Sequence, residues 1–155
     1  MHPTDVPAIP PAPEREFVHS RLIEAPREQV FQAFADPFHL ARWWGPEGFT
    51  STFERFEFVP DGTWQLVMHG PDGTDYPNEY LFRAIDAPER VVVEHLSEQH
   101  HFFLVVTFAA REGRTLVGWR QVFDTAEHRD AIAPVVQPAN EQNLDRLAAE
   151  VRRVA

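Results

Sequence analysis

From Phe49 to Asp124 the chain repeats one pattern, an alternating apolar and polar run closed by a tight turn. Alternation with period two marks a strand with one buried face. Trp64, Leu66 and Met68 share a face, with Thr63, Gln65, Val67 and His69 on the other. Pro60-Asp61-Gly62, Gly70-Pro71-Asp72-Gly73, Asp86-Ala87-Pro88-Glu89 and Glu112-Gly113-Arg114 supply turns. Such short turns join antiparallel neighbours, because a parallel return needs a crossover of about a dozen residues. Strands are expected at 17–24, 49–58, 63–69, 76–85, 90–96, 101–109 and 115–124, with a polar connection at 97–101. Phe53 and Phe56 fall out of phase, which places a bulge between them.

Between the first two strands lies a helical corner. Ala25-Pro26-Arg27-Glu28 opens a helix that carries Val30, Phe31 and Phe34 on one stripe. Asp36-Pro37 ends it and starts the next, with Asp as N-cap and Pro in the first helical position. Gly45-Pro46 stops the second helix after Trp43-Trp44. Adjacent helical residues point about 100° apart. One tryptophan is therefore expected to seal the core and the other to stand at an edge or a cavity mouth. Near the C-terminus Ala126 to Ile132 is briefly helical, and Pro134 and Pro138 are expected to break it. A final amphipathic helix follows from about Ala139 to Val154, with Asn140, Asn143, Leu144, Leu147 and Val151 on one side. Its sixteen residues span roughly 24 Å, enough to cross a sheet.

A chain of 155 residues is one domain with an adequate core. Five prolines in residues 1–15 mark a flexible tail, so the folded domain is placed at 16–155. The chain has no cysteine, which excludes disulfides, thiol catalysis and thiolate metal sites. Its net charge of −10, from 14 basic and 24 acidic residues, argues against nucleic-acid and anionic-membrane partners. No run approaches the roughly 18 apolar residues of a membrane span, and a cytoplasmic location is expected.

The order of elements carries four motifs in sequence: Ala25-Pro-Arg-Glu-Gln-Val-Phe31, Asp36-Pro-Phe-His-Leu-Ala-Arg-Trp-Trp-Gly-Pro46, Pro88-Glu-Arg-Val91 and Asn143-Leu-Asp-Arg-Leu147. In these, residues 16–154 resemble the START-like (helix-grip, SRPBCC) superfamily, in the branch named for the activator of the heat-shock-protein ATPase. The resemblance implies an α+β helix-grip fold. A curved antiparallel sheet of about seven strands would wrap a long C-terminal helix, with two short helices after strand 1. It also implies an apolar cavity for a lipid-like, polyketide-like or other apolar small molecule, and some members are cyclases. One departure stands out. Relatives often carry Gly-Trp before the last helix, where this chain has Pro138-Ala-Asn-Glu141, so the wall near Asn140 is expected to be more polar.

Strand parity selects the candidate site. His95 shares a face with Val91 and Val93, Gln121 with Val117 and Trp119, and Asn78 with Tyr80 and Phe82. A buried polar group without a partner costs about 1–3 kcal/mol. These groups must therefore bond one another, water or a ligand. The expected ligand site has apolar walls of Trp44, Phe53, Trp64, Leu66 and Met68, with Tyr80, Phe82 and Trp119, and a polar end of Asn78, His95, Gln121 and Asn140. Parity turns Arg120 to the outside unless its strand is bulged. No catalytic residue, cofactor or metal is assigned. His100 and His101 read as solvated loop residues, and no zinc-binding His spacing occurs. Two other readings stand beside ligand binding. One is a cyclase- or hydrolase-type enzyme with His95 as acid/base. The other is a co-chaperone-like module with a chaperone partner and an exposed apolar patch around Trp43. An unpaired edge strand leaves a homodimer open.

Overall fold

The computed structural model describes residues 9–154. Seven strands form one antiparallel sheet: β1 (Glu16–Ile23), β2 (Thr50–Phe56), β3 (Thr63–His69), β4 (Asp75–Asp86), β5 (Arg90–His95), β6 (Phe102–Arg111) and β7 (Arg114–Phe123). Their spatial order is β1-β7-β6-β5-β4-β3-β2. Each turn-linked pair from β2 to β7 is adjacent, as short connections dictate. β1 pairs with β7, so the first strand and β2 lie at opposite edges, and the helical corner must bridge them. That corner is α1 (Arg27–Ala35) and α2 (Pro37–Trp43). The Asp36 side chain accepts from the Phe38 N–H at 2.9 Å, and Pro37 occupies the first turn of α2. Gly45 follows at φ +95°, the left-handed region that favours glycine. The bulge expected between Phe53 and Phe56 appears as a register shift between Phe53 and Arg55.

α3 (Ala126–Val154) corrects one expectation. It is a single helix of 29 residues with Pro134 and Pro138 inside it. The two prolines are four residues apart, hence on one face, and both are exposed. Each removes one backbone bond, to the carbonyls of Asp130 and Pro134. On the solvent side water takes those carbonyls, so the helix continues.

The core lies between the concave face of the sheet and the helices, with Phe34, Leu40, Trp43, Trp64, Leu144 and Leu147 fully buried. Fully burying side chains of this size stabilises by about 1.5–3 kcal/mol each. Of the tail expected at residues 1–15, residues 1–8 fall outside the described ones. Residues 9–15 are held against the domain. Ala12 is buried, Pro13–Arg15 form a short 3-10 helix, and Arg15 donates to the Phe123 carbonyl at 2.7 Å. Arg120 points outward, as parity predicts. It pairs with Glu16 at 2.9 Å and donates to the Ile9 and Pro10 carbonyls.

Candidate ligand cavity

The cavity begins with the helical corner. Asn143 of α3 fastens it from inside: its Oδ1 accepts from the Gly45 N–H at 3.3 Å, and its Nδ2 donates to the Trp43 carbonyl at 2.9 Å. Arg146, one turn on, donates to five carbonyls, those of Arg42, Trp44, Gly45, Pro46 and Phe49, at 2.9–3.2 Å. The last carbonyls of a helix have no helical donor, so α2 ends on a guanidinium fork contributed by α3. Burial lowers the Arg146 pKa from its usual value.

Fastened this way, both tryptophans are buried and take the two places expected of them, Trp43 in the core and Trp44 at the cavity wall. Trp43 sits in the core with its indole N–H on the Ala33 carbonyl at 2.8 Å. Trp44 turns to the sheet, its ring 4.8 Å from Trp64 and 5.9 Å from both Tyr80 and Trp119. Trp43 itself offers no exposed surface, whereas Phe38 of the same helix is largely exposed.

A cavity of about 250 Å³ lies between this corner, the sheet and α3. Eight of the twelve residues singled out by the sequence line it. Trp44, Met68, Tyr80 and Trp119 give apolar surface, and Asn78, His95, Gln121 and Asn140 give polar groups. The other four do not face it. Trp64, Leu66 and Phe82 are packed into the core, Trp64 lying parallel to Phe82 at 5.9 Å, and Phe53 is half-buried against Trp64. Parity assigns a side chain to the interior face. Its place along the strand decides whether it meets core or cavity.

The polar groups are paired in two sets. Asn140 Nδ2 donates to Gln121 Oε1 at 3.0 Å. Gln121 Nε2 and Asn140 Oδ1 have no hydrogen-bond partner among the described residues, and both residues are more than nine-tenths buried. His95 Nδ1 lies 2.7 Å from the His100 carbonyl, and His95 Nε2 lies 2.7 Å from Asn78 Oδ1. The His95 ring stacks on Phe102 at 4.7 Å. Burial lowers its pKa, the bond to the His100 carbonyl opposes that, and the charge of His101 adds to it. Burial also raises the pKa of Tyr80, whose hydroxyl stays protonated.

His100 differs from the solvated loop residue expected. Its ring packs on Phe102 and Phe123, and its Nδ1 lies 2.9 Å from His128 Nε2 of α3. Burial, then His95 and His128, push it down to about 4. His101 does reach outward, between Glu94 at 2.7 Å and Asp124 at 2.8 Å. These two carboxylates raise its pKa against the opposing effect of burial. Among the described residues no three His, Asp or Glu side chains come together as metal ligands.

Asn143, Arg146 and His100 escaped sequence reasoning as site residues. Asn143 was visible only as a polar residue on the buried side of the last helix. Arg146 reads as solvent-facing, and its acceptors are backbone carbonyls, which leave no trace in side-chain pattern.

An open antiparallel sheet closed over one long C-terminal helix, with a cavity between them, defines the START-like helix-grip class. Solved structures share it. A Nitrosomonas europaea protein superposes with TM-score 0.85 at 16% identity, over 94% of this chain and 99% of that one. An Arthrobacter aurescens protein gives 0.84 at 24% identity, over 90% and 87%. An AHSA1-like protein of Aeromonas hydrophila gives 0.69 at 24% identity, over 89% and 94%. At such identities the likeness establishes the fold. Among curated proteins there is no match. The family model of Activator of Hsp90 ATPase homolog 1-like proteins matches residues 24–152, and the chain belongs to that family. Among the described residues no helix is long and apolar enough to cross a membrane.

Proposed function

We propose that this protein is a receptor for a small apolar or aromatic molecule held between the sheet and α3. The observation that carries the reading is the make-up of the cavity wall. Aromatic and aliphatic side chains form most of it, and a few convergent polar groups keep hydrogen-bonding capacity unspent within it. A structural role alone would leave Gln121 Nε2 and Asn140 Oδ1 paired. The family and its fold, which commonly holds apolar ligands, support the same reading. The enzyme reading has less support, because both ring nitrogens of His95 already face protein acceptors.

Native mass spectrometry of freshly purified protein tests the proposal, followed by denaturing analysis of whatever is released. Titration with phenylbutanol complements it, read by the fluorescence of Trp44 and Trp119. A stoichiometric guest, or saturable quenching that Trp119→Glu abolishes, is expected. A bare protein whose fluorescence phenylbutanol leaves unchanged would overturn the reading.

A further inference from the structure

The cavity has a one-sided charge inventory. No Asp, Glu, Lys or Arg lines it among the described residues. Of its lining groups His95 is the one that can become charged near neutral pH, and it would become positive, while His100, pushed down to about 4, stays neutral there.

His95 is caught between two demands. Its Nδ1 faces the His100 carbonyl, so that nitrogen must carry a proton. Its Nε2 faces Asn78 Oδ1, while Asn78 Nδ2 donates to the Tyr76 carbonyl at 2.9 Å. In this arrangement a proton on Nε2 as well, giving an imidazolium, satisfies both acceptors. A neutral ring would require Asn78 to turn its amide and lose the bond to Tyr76. Burial and the nearby positive His101 pull the other way, toward the neutral ring. Two self-consistent states result, and a ligand that favours one selects it.

Nothing negative inside the cavity decides the matter. β4 presents Asn78 and Tyr80 to His95, and β6 presents Phe102. The β5–β6 connection presents His100 and His101, and α3 adds His128 against His100. Glu94 and Asp124 are engaged by His101, and Glu98, on the β5–β6 connection, is exposed to solvent. The missing negative charge has to arrive with the guest.

We propose that the cavity takes an apolar or aromatic carboxylic acid, whose carboxylate lies against His95 and whose binding draws a proton onto that ring. This rests on the receptor reading and names its ligand class. The carboxylate lies beside the imidazolium charge, whose two N–H groups stay on Asn78 and His100, and finds donors in the Tyr80 hydroxyl and the unpaired Gln121 amide. The apolar body lies against Trp44, Trp119 and Leu104. A basic amine would meet a positive His95 and no counter-charge.

Phenylbutyric acid, phenylbutanol and phenylbutylamine share one skeleton and differ in charge. Their affinities are compared by tryptophan quenching between about pH 6 and pH 8. Calorimetry in two buffers of different ionisation enthalpy counts the protons taken up. Near pH 6 the acid should bind roughly tenfold or more tighter than the alcohol. That advantage should shrink as pH rises, by up to about tenfold per pH unit, with proton uptake on binding. His95→Gln should lose both the acid preference and the proton uptake. Alcohol binding with an acid no tighter, an acid preference without proton uptake, or an amine preference would each overturn the proposal. Failure of all three compounds would overturn the receptor reading itself. If His95→Gln does not fold, the acid–alcohol comparison and proton count on the native protein decide alone.

Discussion

Arg146→Met isolates the guanidinium fork. Methionine keeps an apolar stem of similar reach, so packing along α3 is largely retained. Lost are donors to five carbonyls at the end of α2 and the turn after it. A hydrogen bond to a charged group contributes about 1.5–3 kcal/mol. A simple product over five carbonyls overstates the effect. Four terminal N–H groups serve them, so at least one bond is shared, and carbonyls nearer the surface regain water. The Arg42 carbonyl is one of these, its bond being exposed. A net loss of about 3–4 kcal/mol is expected. For a chain of this size that lowers Tm by about 6–15 °C. Arg146→Lys places three donors on a compact ammonium and should cost about 2 kcal/mol. Urea denaturation followed by tryptophan fluorescence measures both, with the midpoint shifting and the slope unchanged. An Arg146→Met protein within about 1 kcal/mol of the native one would refute the reasoning, because the fork would then be replaceable by water.

Glu150 is only 5% exposed, and it accepts from Arg153 at 2.8 Å, His39 at 2.8 Å and Arg42 at 3.0 Å. Arg153 chiefly, then His39 and Arg42, lower its pKa from 4.5 to about 2 against the effect of burial. With the folded value below the unfolded one, its stabilisation is present above pH 4.5 and is lost as pH falls toward 2. Glu150→Gln should therefore be about 2 kcal/mol less stable at neutral pH, after discounting for the half-exposed arginines, and the gap should close in strong acid. Acid titrations of both proteins followed by circular dichroism check this. Two glycines separate backbone from side-chain crowding. A Cβ on Gly62 would meet the Glu57 carbonyl oxygen at 2.0 Å, whereas one on Gly118 would meet Thr107 Oγ1 at 2.4 Å. Gly62→Ala should cost about 3 kcal/mol and Gly118→Ala about 1 kcal/mol, since a threonine can rotate away, and thermal melts rank the pair.

The strand order was legible because turn chemistry is local. Four turn clusters and the polar connection at 97–101 make five reversals, which order β2 to β7 and leave only β1 to be placed. Parity then put Asn78, Tyr80, His95, Trp119 and Gln121 on the interior face. Two misreadings share one cause. Starting the last helix at Ala139 removed His128 and Val136 from consideration. His128 covers His100, and Val136 helps close the cavity. His100 reads as solvated because its cover, His128, falls on a short helix that the prolines are expected to detach from the last one. The Asn143 and Arg146 contacts to the corner span about a hundred residues of chain and end on backbone atoms. No periodicity encodes such pairings.

The prolines of α3 have a consequence for traffic. The two missing rungs, Pro134 to Asp130 and Pro138 to Pro134, thin the bonding within residues 130–138, and Val136 of that stretch lines the cavity beside Ala139, Asn140 and Asn143. Raising it costs little backbone bonding, and none of the ladders of the sheet need part. The walls rest on full ladders and the roof beside Val136 on a thinned one, so backbone amide exchange within α3 should be fastest between residues 130 and 138.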